Sequence, residues 1–214
     1  MTRMHMTASN PFHAILTEIV GPLAEQHAYP LRMVEATEAR LGLRIPGPLR
    51  DYYLTVGRHK LNRIHNRLTE PEELEVRQGR LVFMEENQSV VYWGVRAKVK
   101  ALDPIVFQTQ DPDGDDWFAE SSCSSFLLTM LSFHATGGLP CIGYSDKFSR
   151  NEVPRLVKSW TPVGRVREMS GFANGGKVLC VFEEGDQAFI QVGAPNRRDF
   201  RAITQELGIG IHEA

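Results

Sequence analysis

Residues Leu81–Val95 read LVFMEENQSVVYWGV, and this stretch decides the fold class. Leu81–Glu86 and Val90–Arg96 are rich in β-branched and aromatic residues, and Asn87-Gln88-Ser89 separates them. That pattern predicts an antiparallel hairpin closed by a loop of three or four residues. Glu85 and Glu86 are adjacent in a strand, so they point to opposite faces and do not form a paired acid and base. Glu86, beside Asn87 and Gln88, is placed to satisfy turn amides. Trp93 shares a face with Val91 and Val95, which predicts core packing; the competing reading is an exposed binding aromatic.

On the N-terminal side the period changes to helical. Phe12, Ile15, Leu16, Ile19, Val20 and Leu23 recur every three to four residues, with Pro22 expected to kink or split the helix. A second helix is predicted from about Leu31 to Leu41, stopping at Gly42. Pro46 and Pro48 bracket a turn, and a short helix follows with Leu49, Tyr52, Tyr53 and Val56 on one face and Gly57 at its end. Residues 64–69 suggest a strand.

On the C-terminal side, Pro104–Thr109 reads as a strand and Asp111–Asp116 as a turn punctuated by Pro112 and Gly114. Ser121–His134 reads as a helix with a wide apolar face, closed by Gly137-Gly138. Trp160–Val166, Lys177–Phe182 and Gln187–Val192 are expected strands, and a last helix runs from Asn196 to Gly208. Helices first, then strands with inserted helices, is an α+β order and not βαβ repetition.

The chain has 214 residues, 42% hydrophobic and 23% charged, enough to bury a core without disulfide or metal staples. Cys123, Cys141 and Cys180 form neither a disulfide framework nor a metal knuckle, which predicts buried thiols in a reducing, cytoplasmic compartment. Residues 1–16 hold no apolar leader, and no window is apolar enough to span a membrane. A net charge of −2 gives little support to nucleic-acid binding. The charge is segregated, however: between Ala101 and Asp146 there is no Lys or Arg, while Asp103, Asp111, Asp113, Asp115, Asp116, Glu120 and Asp146 are acidic.

Most candidate chemistry fails on spacing. A calcium loop starting at Asp111 needs Gly at its sixth position and Glu at its twelfth; here Gly114 is fourth and Ser122 twelfth, so no metal is expected. Cys123 and His134 lie about 16 Å apart along one predicted helix, too far for a thiolate–imidazole pair. Ser121–Ser125 reads as helix capping, and Gly208-Ile209-Gly210 has no following strand–helix unit. Lys147–Arg167, basic around Trp160, reads as a solvated face more than a nucleic-acid site. Glu38 shares a helical face with Val34 and Leu41, at the core edge or paired with a buried donor. No catalytic residue and no cofactor are expected.

Leu31–Gly57 reads LRMVEATEARLGLRIPGPLRDYYLTVG. An acidic helical residue (Glu38), then Leu41-Gly42 and Ile45-Pro46, then Leu49–Tyr53, resembles the opening motif of the SUKH superfamily of cell-wall assembly regulators and bacterial toxin-immunity proteins. Glu85, Glu86, Asn87, Gln88, Trp93 and Gly94 are similar to that family's central hairpin. Asp103-Pro104 and Trp117-Phe118 resemble the family's segment after the hairpin, and Ser125–Phe133 falls where the family carries a helix. The resemblance covers residues 31–138. Residues 139–214 depart from it, as further strands of the same sheet or as an added subdomain. It implies a central, largely antiparallel sheet flanked by helices, and a non-enzymatic role in binding a protein, for bacterial members a toxin and often a nuclease. On that basis the expected partner surface is an acidic ridge of Asp111, Asp113, Asp115, Asp116, Glu120, Glu85 and Glu86, with Trp117 and Phe118 as anchors. Glu38, Gly42, Pro46, Asn87, Gln88, Trp93, Gly94, Asp103 and Pro104 are expected to be structural. The alternatives are a regulatory scaffold in envelope or stress signalling and an unrecognised enzyme.

Overall fold

The computed structural model describes residues 10–214, so the reading of residues 1–9 as free of a leader lies outside the described residues. Asn10 opens helix α1 (Pro11–Val20) by accepting hydrogen bonds from the Phe12 and His13 amides. The helix ends at Gly21, at φ 86°, so it stops ahead of Pro22 and is not kinked by it. Helix α2 (Leu31–Leu41) ends at Gly42 in the left-handed region, as its position predicts. Helix α3 (Gly47–Tyr53) takes Pro48 into its first turn, where a missing N–H leaves nothing unsatisfied. Val56 and Gly57 lie beyond it. Gly57 is not a cap: a Cβ there would stand 2.8 Å from Tyr53 Cα, so the residue permits a close backbone approach.

The first sheet is antiparallel and holds β1 (Asn66–Leu68), β2 (Glu75–Arg77), β3 (Arg80–Glu86), β4 (Tyr92–Arg96), β5 (Ile105–Thr109) and β6 (Phe118–Ser122). Its order is β1-β3-β4-β5-β6, with β2 beside β3. Strands β3 and β4 are the expected hairpin, pairing Leu81 with Val95 and Glu85 with Tyr92. A bulge between Val82 and Met84 breaks strict alternation, so Leu81, Phe83 and Met84 are all fully buried. The turn is held by the Gln88 amide donating to Glu86 Oε2 at 2.8 Å, with Ser89 at φ 57°.

Strand β6 was not expected, and it takes Ser121 and Ser122 out of the predicted helix. Helix α4 (Cys123–Gly138) begins two residues later than expected, with Ser122 at its N-cap. Asp103 caps it a second time: Oδ1 accepts from the Ser124 amide at 2.9 Å, and Oδ2 accepts from the Ser124 hydroxyl. Gly137 and Gly138 are the last two residues of the helix, as expected, and they also make room for neighbours. A side chain at Gly137 would meet the His65 ring, and one at Gly138 would meet Leu61 and Ile64.

Beyond α4 come β7 (Cys141–Ser145), β8 (Phe148–Ser149), the short helix α5 (Val153–Leu156), β9 (Thr161–Val166), β10 (Met169–Asn174), β11 (Lys177–Glu184), β12 (Gln187–Ala194), helix α6 (Arg197–Leu207) and β13 (Ile211–Glu213). These strands do not continue the first sheet. They form a second antiparallel sheet, in the order β13-β7-β12-β11-β10-β9 with β8 beside β12. The chain is α+β, but built on two sheets where the resemblance implies one. Strand β10 was missed because MSGFAN is too poor in β-branched residues to announce itself.

Helix α4 lies between the sheets, and their core side chains meet around it. Phe126 packs on Phe83 and Trp93 of the first sheet, each with ring centroids 5.8 Å apart. On its other side the helix backbone rests on glycines of the second. A Cβ at Gly164 would stand 2.6 Å from Thr129 Oγ1, at Gly171 2.8 Å from Ser132 Cβ, and at Gly193 2.7 Å from the Ala135 carbonyl. The hydroxyls buried there are satisfied by the helix's own carbonyls: Thr129 donates to Ser125 O at 2.7 Å and Thr136 to Phe133 O at 2.7 Å. The far face of the second sheet carries a second core, in which Leu179, Val181, Ile190 and Val192 meet Phe200, Ile203 and Leu207 of α6.

Gly193→Ala pushes a methyl group into helix backbone that has no room to retreat, and is expected to destabilise the protein by about 1–3 kcal/mol. Gly47→Ala meets only Leu102 O at 3.8 Å and is expected to be neutral or slightly stabilising. Urea unfolding of the two variants checks this; equal midpoints would contradict the close-packing account.

Candidate functional site

The Asp111–Asp116 turn is built by its own first residues. Asp111 Oδ1 accepts from the Asp113 amide at 3.0 Å, and the Gly114 amide donates to Asp111 O at 3.1 Å. The Trp117 indole folds back to donate to Gly114 O at 3.1 Å, and the Arg80 guanidinium covers its ring at 4.8 Å from the centroid. Trp117 is therefore engaged within the chain and is not a free anchor, a correction to its expected role. Asp113 has Arg77 at 3.6 Å. Asp111, Asp113, Asp115 and Asp116 are exposed, and Phe118, at the start of the end strand β6, is 60% exposed.

The remaining acids do not join this turn. Glu85 sits three strands away from β6, about 14 Å at the usual strand spacing, and is paired with Arg67 at 2.8 Å. Glu86 is held in the hairpin turn. Glu120 departs furthest from expectation, because its side chain is only 1% exposed. A bulge in β6 is responsible: Ser122 pairs with Ile105 and Ala119 with Phe107, so β6 has one residue more than β5 across this step. The single ridge expected from the sequence is thus reduced to the Asp111–Asp116 turn and Phe118.

Of the structural set, Glu38 is buried and accepts from the Ile45 amide at 3.0 Å, with Arg50 Nε at 3.4 Å, tying the end of α2 to the approach of α3. Pro46 O accepts from the Arg50 amide at 2.9 Å, and Pro104 O from the Cys123 amide at 2.8 Å. A Cβ at Gly94 would stand 3.0 Å from Leu81 O, which explains a small residue opposite the β3 bulge. Trp93 is buried at the inner end of β4. All three cysteines are buried and free; burial pushes the Cys123 and Cys180 thiols well above the ordinary thiol range. Among the described residues no cluster of three or more His, Cys, Asp or Glu side chains is arranged for a metal, and no helix is long and apolar enough to cross a membrane.

A cleft of about 690 Å³, not anticipated from the sequence, opens between the two sheets. The first sheet contributes Trp93 and Gln108, the β3–β4 turn Val91, α4 Met130 and Phe133, and the second sheet Val166, Met169 and Phe182. Glu120 lines it, and neither of its carboxylate oxygens has a hydrogen-bond partner. Arg167 comes within 3.5 Å of Oε1 without hydrogen-bond geometry. Burial pushes the Glu120 carboxyl above the ordinary range; Arg167 opposes that shift and Glu168 adds to it. His65 stacks on Phe133 at 4.3 Å, and burial lowers its pKa. These residues come from seven separated segments, so no local pattern marks the cleft.

No family model, curated protein or solved structure matches this chain.

His134, inside α4, is fully buried, and neither ring nitrogen has a partner. Burial, with a smaller contribution from His65, lowers its pKa to about 3 from an ordinary 6.5. The fold therefore holds the neutral ring. The stability tied to that preference is complete above pH 6.5 and erodes as the pH falls toward about 3. By pH 5 the loss is about 2 kcal/mol. His134→Leu is expected to remove that part of the acid sensitivity, measured as the difference in unfolding free energy between pH 7.5 and pH 5. An unchanged difference would show that other groups carry it.

Proposed function

We propose that this chain acts without catalysis, by binding a basic protein partner at the acidic lip of its first sheet, as an immunity protein that neutralises a toxin does. The observation that carries this reading is Phe118, a large apolar side chain 60% exposed and set beside four exposed aspartates. An exposed ring beside a cluster of acidic side chains has the make-up of an interface anchor with a steering rim. A nuclease toxin fits the chemistry, because its phosphate-binding cleft is basic. The resemblance of Leu31–Gly57 and Leu81–Val95 to SUKH proteins supports the same reading from the sequence side.

Four side chains that could serve as nucleophiles are occupied in other ways. Ser122 and Ser124 belong to the cap of α4, and the Cys123 and Cys180 thiols are sealed in the core. Asp111 is spent on the turn and Asp113 is shared with Arg77, so Asp115 and Asp116 carry most of the available charge.

Affinity capture from the native host, followed by mass spectrometry and a neutralisation assay, tests the proposal. Replacing Asp113, Asp115 and Asp116 with Lys is expected to weaken capture of the partner tenfold or more, and Phe118→Ala to weaken it comparably, with thermal unfolding unchanged. Undiminished capture by both variants would refute the acidic lip.

A further inference from the structure

The cleft between the sheets plays no part in that reading. Its volume, about 690 Å³, lies within the range of small-molecule sites. One side is apolar and aromatic: Trp93, Phe133 and Phe182 present rings, with Met130 beside them. The polar part is acidic, with Glu86, Glu120, Glu168, Glu183 and Glu184 against a single cation, Arg167.

Most of these acids are already used. Glu183 is gripped by Arg150 and Arg165, each at 2.7 Å. Glu184 pairs with Lys147, and Glu86 holds the Gln88 amide. Glu168 is exposed, with Arg167 3.9 Å away. Glu120 differs from all of them, its side chain being 1% exposed and without a hydrogen bond on either oxygen. A buried carboxylate left so is costly unless a donor reaches it. Arg167 is 51% exposed and only approaches, from a backbone at φ 48°, so it leaves Oε2 without a partner.

We propose that this cleft binds a small organic cation, with an amidinium, guanidinium or ammonium head on Glu120 and an apolar body against Trp93, Phe133 and Phe182. A carboxylate only accepts hydrogen bonds, so the head must donate. Aromatic faces and the Glu120 carboxylate, which no hydrogen bond satisfies, both favour a positive head over a neutral one. Arg167 then acts as a placeholder at the mouth, which the ligand displaces.

The test uses the full chain with benzamidine and phenethylamine as cations and benzamide as the neutral counterpart of the first. Calorimetry measures affinity, and the Trp93 indole resonance reports the location. At least one cation is expected to saturate a single site and shift that resonance, with benzamide at least tenfold weaker than benzamidine. Glu120→Gln is expected to weaken the cation at least tenfold. It should unfold no earlier than the parent, since it removes a buried charge that no hydrogen bond satisfies. Arg167→Asn, in which asparagine tolerates the left-handed backbone, is expected to tighten binding several-fold. Should neither cation bind at millimolar concentration, the cleft is merely hydrated and the proposal fails. It fails equally if benzamide binds as well as benzamidine, if Glu120→Gln binds undiminished, or if only an arginine-bearing peptide occupies the site.

Discussion

The backbone of α4 rests on a floor of glycines, and the rest of the molecule depends on that contact. Gly164, Gly171 and Gly193 lie on three strands of the second sheet and let the helix approach more closely than any side chain would allow. The helix is consequently buried on nearly every side, which explains a sequence that mixes Phe126, Leu127 and Leu131 with Thr129, Ser132, His134 and Thr136. Its hydroxyls cause no penalty because they turn back onto helix carbonyls. His134 has no such outlet, and its neutrality is a condition of the fold.

One helix held against two sheets also sets where the sheets part. Phe126 fills the gap near the start of α4, against Phe83 and Trp93. Further along, Met130 and Phe133 reach only part of the way across, and the cleft opens between Trp93 and Phe182. The bulge in β6 then delivers Glu120 to that opening while Phe118 stays exposed. The groove beside Phe118 and the cleft share Gln108 and Arg167, so two acidic surfaces adjoin with one arginine at their boundary. Each presents acidic side chains, Asp111 and Asp116 at the outer one and Glu120 at the inner one.

The parts of this protein that were legible in its sequence are those governed by neighbours in the chain. The β3–β4 hairpin follows from alternation and a polar turn, the end of α2 from Gly42, and the span of α6 from Asn196 and Gly208. The α+β class follows from their order, and the opposed faces of Glu85 and Glu86 from strand geometry. What only the tertiary structure decided depends on groups distant in sequence. Gly57 looks like a helix stop but answers to Tyr53, and Gly137 and Gly138, at the end of α4, leave room for His65 and Leu61. The C-terminal strands were free, on their pattern, to extend the first sheet, yet α4 needs a second sheet to cover its other face. Glu120 belongs by composition with the aspartates before it, but one extra residue in a strand turns it inward. Local rules count residues along the chain, while burial is settled by what packs from the other side.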